Sequence, residues 1–297
     1  MKSEAERAES RAGWSFVTPA LGLIAVFFVV PVTAAFVLSF TDFDIYSIGD
    51  LGSTRFIGLK NYHDLFTTPL FWTALKNTLF FVVVGGPLSV IVSLTAALLV
   101  NSKLVRFKPF FRSAFFAPWV TTLVAVALVW RYIYHPQYGM INSALGLLGI
   151  APIDWLGDAH WAMPSIILLS VWKNFGYNML VFLAGLQSIP VELYEAAALD
   201  GASAWQRLRS ITLPMLGPTF VFVGVVTMIA SFQIFSEPYV MTQGGPLKST
   251  TTLVLFMYEQ GFRWWRLGYS AAIAVILFLL TLLGTAVQFR LRRRVPQ

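Results

Sequence analysis

The chain has 297 residues, of which 57% are hydrophobic and 12% are charged, and its mean hydropathy is +0.70. Soluble domains carry roughly 25% charged residues, so this composition excludes an ordinary water-soluble protein and indicates lipid as the solvent for much of the surface. The absence of cysteine excludes disulfides, cysteine-ligated zinc and thiol catalysis. The net charge of +7 is compatible with a nucleic acid or an anionic membrane as partner, and the placement of the basic residues favours the membrane.

Six apolar stretches are each long enough to cross a bilayer, since about 20 apolar residues in a helix span about 30 Å of hydrocarbon. They lie at Phe16–Phe40, Ala74–Val100, Phe110–Tyr134, Pro164–Leu186, Pro214–Phe235 and Tyr269–Phe289. Because lipid offers no partners to backbone groups, we expect continuous helices, bent in the first span by Pro31 and in the second by Gly85-Gly86-Pro87. The sequence therefore predicts an all-α integral membrane protein with about six transmembrane helices.

The basic residues predict the orientation of these spans. An even number of spans places both termini on one side of the membrane. Of the 21 lysines and arginines, 13 fall in segments on the side of the termini, six in the opposite loops and two within spans. The positive-inside rule therefore predicts two cytoplasmic termini. We expect a tail at residues 1–15, a transmembrane domain at 16–289 and a basic tail at 290–297 that binds anionic lipid.

The segment at residues 187–213, after the fourth span, is predicted to be more than a connector. Ser188 is expected to cap a short helix, and Gly201 to end that helix in a left-handed conformation. Ser203 and Gln206 have the spacing of a capping box, which indicates a second helix. Two interpretations stay open at this point. The two alanine-rich helices either lie on the lipid surface or enter a groove on another protein.

The same segment contains residues at fixed spacings: Glu195-Ala196-Ala197, three residues, Gly201, nine residues, and then Ile211, Leu213 and Pro214. This pattern resembles the EAA motif in the inner-membrane permease subunits of binding-protein-dependent ABC importers. Two further stretches, Phe56–Tyr62 followed by Asn77-Thr78 and Met241–Pro246, are similar to the carbohydrate-uptake branch that includes the larger maltose-transporter permease. The extra N-terminal spans and large outer domain of that subunit are absent from this sequence.

The resemblance implies a type I ABC importer permease fold in the cytoplasmic (inner) membrane of a bacterium or archaeon. It also implies that one set of residues forms coupling helices in a cleft of a separate ATPase: Glu195, Ala196, Ala197, Asp200, Gly201, Ile211, Leu213 and Pro214. The expected cargo is a sugar, a polyol or a glycerol phosphate, translocated by alternating access.

The resemblance further implies a set of partners. They are a second, homologous permease that completes a heterodimer, two ATP-binding subunits and an extracytoplasmic solute-binding protein. We expect this chain itself to hold no cofactor, no metal and no catalytic residue, because ATP and magnesium belong to the ATPase. Consistent with this, the sequence has no phosphate-binding loop of the G-x-x-x-x-G-K-S/T type.

Five polar residues share one face of the predicted fourth span: Ser170, Lys173, Asn174, Tyr177 and Asn178. Ionisable groups at membrane depth are functional candidates by default. The family places a substrate path beside this helix, so Lys173, Asn174, Tyr177 and Asn178 are candidates for that path. The alternatives are that they join the two permeases as interhelical contacts, or that the lysine snorkels through a defect in the lipid. Ser231 and Gln233 are further path candidates near the fifth span, although serine in such helices often bonds its own backbone.

Two other classes of protein are less compatible with the sequence. A self-sufficient secondary transporter or channel has no use for a docking motif, and we expect no pair of discontinuous helices of the inverted-repeat kind. A membrane enzyme needs a clustered acid, base or metal set. The three histidines, His63, His135 and His160, instead fall far apart in predicted outer loops. A nucleic acid partner is not expected.

Overall fold

The computed structural model describes residues 4–49, 52, 54–102 and 104–292, and these are mostly helical, with no strand among them. In chain order the α-helices are α1 (Glu4–Ile24), α2 (Val30–Leu38), α3 (Lys60–Thr67), α4 (Pro69–Phe80), α5 (Gly86–Asn101), α6 (Lys108–Val120), α7 (Leu123–Ile133), α8 (Met140–Gly146), α9 (Ala162–Gln187), α10 (Val191–Leu199), α11 (Ala204–Arg207), α12 (Leu213–Met215), α13 (Gly217–Phe232), α14 (Ser236–Met241), α15 (Leu253–Tyr258) and α16 (Leu267–Arg292). The all-α prediction is confirmed.

Four helices in the described part of the chain are long and apolar enough to cross a bilayer, and two sharply bent pairs raise the number to six if each pair counts as one span. The four are Gly13–Leu38, Pro69–Asn101, Ala162–Gln187 and Leu267–Arg290. They correspond to the predicted first, second, fourth and sixth spans. Their ends differ from the prediction by up to about five residues, because polar residues continue a helix beyond its apolar stretch.

The prolines of the first two spans distort their helices without interrupting them. A π-helical turn at Ala25–Val29 precedes Pro31, and another at Phe81–Gly85 precedes Pro87. Proline has no N–H to donate and its ring crowds the preceding turn, and a π-helical turn is one of the usual sites of helix distortion. Both helices remain continuous spans.

The expectation of a continuous third span is wrong. α6 and α7 meet at an angle of 99°. Thr121 and Thr122, between them, have extended conformations with ψ of 149° and 135°. Pro118, in the last turn of α6, removes one backbone donor and weakens the helix just before the break. The predicted stretch Phe110–Tyr134 is therefore two helices, and the last carbonyl groups of α6 have no partner within the helix.

The predicted fifth span also begins later than expected and is bent at its start. The helical segment Ala204–Met215 meets α13 at 66°. Leu216, at the bend, has a ψ of 0°, and Pro218 occupies the first turn of α13. Pro214, which was predicted to begin the span, instead belongs to the segment before the bend. Discontinuous helices, which the sequence did not predict, therefore occur twice.

The described residues fall into two compact units, one within residues 1–68 and 257–276 and the other within 69–256 and 277–297. In the first unit the buried Asn61 amide donates to the carbonyl oxygens of Ser39 and Thr41 at 2.9 and 2.8 Å. Beside it, the main-chain N–H and the guanidinium group of Arg55 donate to Asp42 and lower the pKa of that carboxyl. These bonds fix the loop that follows the first span.

In the second unit α9 is the central helix, and α5, α6 and α13 contact it. Its buried side chains join two apolar clusters, one around Ile166 and Leu169 and the other around Met179 and Phe182. Gly176 allows the closest approach, since a Cβ at this position would overlap the carbonyl group of Phe115 on α6. The cavity and the loop described below both belong to this unit.

Candidate functional site

The polar residues of α9 face a cavity of about 240 Å³ inside the second unit. Most of its polar lining comes from α9 and from the region around the end of α13, including Ser170, Asn174, Tyr177, Asn178, Thr227, Ser231, Gln233, Ser236 and Glu237. Two of its aromatic walls are Phe81 and Trp119. Five of the six residues predicted for a substrate path therefore line one cavity, and the exception is Lys173.

The ammonium group of Lys173 points to the break in the third span. Its Nζ lies 3.1 Å from the carbonyl oxygen of Pro118, 3.3 Å from that of Trp119 and 2.9 Å from that of Thr121. Lysine has three N–H donors, and here three backbone carbonyls accept them. The sequence indicated a functional lysine at this depth, but it did not indicate this partner, because the break itself was not predicted.

The two asparagines of the stripe differ in their partners, because Asn174 bonds within α9 and Asn178 bonds across to α13. Asn174 donates through Nδ2 to the carbonyl oxygen of Ser170 at 2.8 Å, one turn earlier in the same helix. Asn178 donates to Thr227 Oγ1 on α13 at 3.1 Å. The hydroxyl of Ser231 donates to the carbonyl oxygen of Thr227 at 2.7 Å, the backbone bond that was considered for it. Contacts between helices of this chain therefore account for part of the polar stripe.

Tyr177 and Trp119 form an aromatic wall of the cavity. Their rings are stacked, with centroids 4.8 Å apart and an interplanar angle of 22°. Sequence reasoning missed Trp119, which looked like one more apolar residue of a continuous span. The one available signal was Pro118 beside it. Glu237 also lines the cavity, at the start of α14.

The segment at 187–213 forms the predicted helix–glycine–helix arrangement. α10 ends in a Schellman motif, in which the N–H of Ala202 donates to the carbonyl of Ala197 at 2.8 Å and the N–H of Gly201 to that of Ala198 at 3.1 Å. Gly201 has a φ of +75°, the left-handed conformation that the sequence predicted. A side chain at this position would meet no atom within 4 Å, so the backbone conformation alone favours glycine.

The two predicted helix caps in this segment have different outcomes. The capping box is confirmed, because Ser203 Oγ accepts from the N–H of Gln206 at 3.3 Å and the side chain of Gln206 accepts from the N–H of Ser203 at 2.7 Å. The prediction for Ser188 is wrong. Its hydroxyl donates to the carbonyl of Gly185 at the end of α9, and Pro190 precedes the first residue of α10. A longer α9 places Ser188 at the end of that helix.

One long-range hydrogen bond ties this loop to the beginning of the fifth span. The hydroxyl groups of Tyr194 on α10 and Thr212 are 2.9 Å apart. Thr212 is buried, and its carbonyl accepts from the N–H of Leu216 at the bend before α13. The side chain of Tyr194 therefore links α10 to the segment that leads into α13, in addition to the backbone between them.

The surface of the loop is open to a partner. Glu195, Ala196, Asp200 and Gly201 are exposed, and Ala197, Ile211 and Leu213 are partly exposed. Large apolar side chains stand among them, with Leu199 90% exposed and Trp205 67% exposed. An apolar patch beside exposed acidic groups is typical of a protein interaction surface. The motif residues thus lie together on one exposed hairpin of helices.

The described residues contain no group of three or more histidine, aspartate or glutamate side chains that could hold a metal ion. The arrangement instead combines apolar membrane helices, a polar internal cavity and an exposed helical loop. These features fit a membrane transport protein.

The comparison with known families identifies the class more closely. The family model described as the inner membrane component of binding-protein-dependent transport systems matches residues 11–297, and the chain belongs to this family. It is accordingly a multi-pass protein of the inner membrane and a transport component rather than an enzyme. The resemblance inferred from the EAA motif is confirmed at the level of the family.

Several relatives align over nearly the whole chain. The lactose transport system permease protein of Rhizobium radiobacter is 36% identical over 97% of this chain and 96% of its own. The trehalose/maltose transport system permease protein of Thermococcus litoralis is 33% identical over 99% and 97%. The sn-glycerol-3-phosphate transport system permease protein of Pectobacterium atrosepticum is 35% identical over 96% of each chain.

A solved structure shares the fold. A chain from a bacterial ABC transporter involved in the import of the acidic polysaccharide alginate superposes with a TM-score of 0.80 at 22% identity, over 99% of both chains. The same importer in complex with its alginate pentasaccharide-bound periplasmic protein gives 0.79 at 22% identity, over 98% and 96%. The predicted type I importer permease fold is confirmed.

Proposed function

We propose that this chain is the permease subunit of an ATP-driven importer for a sugar or a chemically related solute such as a polyol or a glycerol phosphate. Relatives that match over nearly their full length have names referring to lactose, trehalose/maltose and sn-glycerol-3-phosphate. An extracytoplasmic binding protein delivers the solute, and a second, homologous permease completes the membrane pathway. Two ATPase subunits bind ATP and magnesium.

The cavity in the second unit is the part of the solute path that this chain contributes. Asn174, Tyr177, Asn178, Ser231 and Gln233 supply amide, hydroxyl and aromatic groups to its lining. Hydroxyl-rich solutes are recognised by such polar groups and by stacking on aromatic faces. The volume of about 240 Å³ on this chain suits one sugar unit, and the partner permease provides the opposite wall.

The loop at 187–213 docks into the ATPase, with Glu195, Asp200 and Gly201 on the contacting surface. One observation carries this proposal. α9 carries the cavity residues and ends at Gln187, where the loop begins, and α13 begins just after the loop and ends at Phe232 beside the cavity. Tyr177 lies ten residues before Gln187, about 15 Å along a helix. A displacement of the loop by the ATPase is thereby passed to both walls of the cavity.

The loop faces the cytoplasm in this proposal, together with both termini. The chain contains no cysteine, so a single introduced cysteine gives an unambiguous labelling site. Leu199→Cys in the loop and Leu247→Cys in the segment after α14 are suitable, because these side chains are 90% and 91% exposed. In intact cells an impermeant thiol reagent should label Leu247→Cys but not Leu199→Cys, and the reverse pattern refutes the orientation.

The function is tested by assembling the chain in lipid vesicles with the permease, ATPase and binding protein encoded beside it. Neutral sugars, polyols and glycerol phosphates are offered singly, and both ATP hydrolysis and solute uptake are measured. We expect one of these solutes to stimulate hydrolysis and to accumulate inside the vesicles. The purified chain alone should neither bind nor hydrolyse ATP. Uptake by this chain without the ATPase, or no uptake of any solute in the panel by the complete assembly, contradicts the proposal.

A further inference from the structure

We infer that Lys173 is a positioning residue, which holds the broken end of α6 and thereby the aromatic wall of the cavity, and that it does not contact the solute. The inference rests on the proposed function, in which the cavity is part of the solute path. The position of Lys173 itself follows from interatomic distances alone. Lys173 was a candidate for the substrate path in the sequence, and this inference gives it a structural role instead.

The break in the third span leaves backbone carbonyl groups that need hydrogen-bond donors, and Lys173 supplies the donors. The last carbonyls of any helix have no intrahelical partner, and in a membrane domain water is scarce for satisfying them. The Nζ of Lys173 is within 3.3 Å of three carbonyl oxygens at this break, those of Pro118, Trp119 and Thr121. A cation at the C-terminal end of a helix is also favoured by the helix dipole.

Two further contacts fix the end of α6 beside α9 at the break. Gly176 lies three residues after Lys173 and gives the backbone of Phe115 room to touch α9. The hydroxyl of Thr121 donates to the carbonyl of Pro118 at 2.6 Å, so this carbonyl accepts from two donors. The extended conformation at the break is therefore fixed both by a local bond and by a contact from a helix more than 50 residues away in sequence.

The capped segment carries one wall of the cavity. Trp119 is one of the residues whose carbonyl binds Lys173, and its ring stacks on Tyr177, one turn after Lys173 on α9. Both rings line the cavity, whereas Lys173 does not. The lysine and the tyrosine thus hold the backbone and the side chain of the same tryptophan. Loss of the ammonium group is expected to release the end of α6 and to displace the indole ring.

Direct contact with the solute would break the bonds that the lysine makes at the end of α6. A lysine that bound the solute would leave the carbonyl groups of Trp119 and Thr121 without this donor. Only the carbonyl group of Pro118 would keep another donor, the hydroxyl of Thr121. Substituting the lysine is therefore expected to affect solute binding through the position of the aromatic wall.

The test uses the complete importer in lipid nanodiscs, isolated through a tag on the partner permease. Spin labels are attached to Val120→Cys at the end of α6 and Leu168→Cys on α9, two exposed positions, and the distance between them is measured without solute. The variants are Lys173→Met, Lys173→Arg and Trp119→Ala, and the matched control is Lys76→Met, at an exposed lysine in the second span. Solute-stimulated ATP hydrolysis is titrated on the same samples.

We expect one narrow distance distribution in the parent and in Lys76→Met, and a broad or shifted one in Lys173→Met. The half-saturating solute concentration of Lys173→Met should rise about tenfold, the scale of one lost aromatic contact, with a smaller change in maximal rate. Lys173→Arg retains cationic donors and should restore both readouts to within about threefold of the parent. Trp119→Ala should raise the half-saturating concentration but keep the narrow distribution.

An unchanged distance distribution in Lys173→Met together with weakened solute binding overturns the inference, because it makes the lysine a direct ligand. If Lys173→Met fails to assemble, Lys173→Gln, which has two donors and no charge, is measured in its place, and a narrow distribution in Lys173→Gln with weakened solute binding overturns the inference in the same way. If no solute stimulates the parent importer, the proposed function fails, while the distance measurement still decides the role of Lys173.

Discussion

The proposed coupling loop and the proposed solute cavity lie at two places along the same helices, and they are built from different kinds of interaction. In the loop, the Schellman motif at Gly201 and the capping box at Ser203 join residues at most five apart. At the cavity and its wall, Asn178 binds Thr227 49 residues away, and Lys173, behind the wall, binds carbonyls 52 to 55 residues away. The loop is therefore specified locally, whereas the cavity depends on how the helices pack.

This difference predicts that variants in the two regions fail in different ways. A variant of the loop should lose the ATPase while the cavity stays intact, because the loop is exposed and its shape is local. A variant of the cavity should assemble normally and handle the solute poorly.

The largest effect is expected from reversing the charge of Glu195. Glu195→Lys should abolish ATPase recruitment and transport, because it places a cation where the ATPase meets a carboxylate, and such mismatches cost several kcal/mol. Glu192→Lys is the matched control, since Glu192 lies one turn earlier on the same helix, is also exposed and is outside the motif. Recruitment is measured by co-purification from membranes that contain equal amounts of chain. Equal recruitment by both variants would remove Glu195 from the docking surface.

The sequence predicted the loop far better than the cavity, and the reason is physical. The helix end at Gly201 and the capping box of Ser203 and Gln206 depend on residue types only a few positions apart. Both could therefore be predicted from the sequence without knowing how the helices pack. Apart from Pro118, no comparable pattern in the sequence marks the 99° break after α6. Without the break, neither Trp119 in the cavity nor the partners of Lys173 were predictable, although helical periodicity correctly grouped Asn174, Tyr177 and Asn178 on one face.

A smaller effect is expected from Tyr177→Ala in the cavity. The variant should raise the half-saturating solute concentration about tenfold through loss of one aromatic surface, while the ATPase remains bound in normal amount. Phe222→Ala removes an aromatic ring of α13 that is 52% exposed and does not line the cavity, and it should leave the titration unchanged. Loss of the assembled complex in Tyr177→Ala, with normal transport by the complexes that survive, would make the polar stripe a contact between permeases.

The left-handed conformation of Gly201 gives a graded series in the loop. Gly201→Ala should cost about 1–2 kcal/mol locally, because a Cβ disfavours positive φ, and Gly201→Asn should cost less. Transport should follow the order glycine, asparagine, alanine. Gly146→Ala is the control, since that glycine has no positive φ and no atom near its missing Cβ. Equal transport by Gly201→Asn and Gly201→Ala would mean that the left-handed turn is not needed.

The smallest effect is expected at the capping box. Ser203→Ala removes one cap and should destabilise the start of α11 by about 1 kcal/mol, whereas Ser203→Asp, another capping residue, should retain it. Hydrogen exchange at the Gln206 amide reports the change directly, because that N–H donates to Ser203 Oγ. We expect faster exchange in Ser203→Ala and nearly normal transport. Unchanged exchange would show that this hydrogen bond does not hold the helix start.

The central claim is that displacement of the loop by the ATPase changes the cavity through α9 and α13. Ser236→Cys tests it most directly, because Ser236 lines the cavity, is exposed, and would be the sole cysteine of this chain. The measurement is the rate at which an impermeant thiol reagent modifies this cysteine in lipid vesicles that contain all the subunits, with and without ATP under non-hydrolysing conditions. We predict that ATP changes the rate in the otherwise unaltered chain and has no effect when Glu195→Lys is added. The same ATP-dependent change with and without Glu195→Lys would contradict the claim.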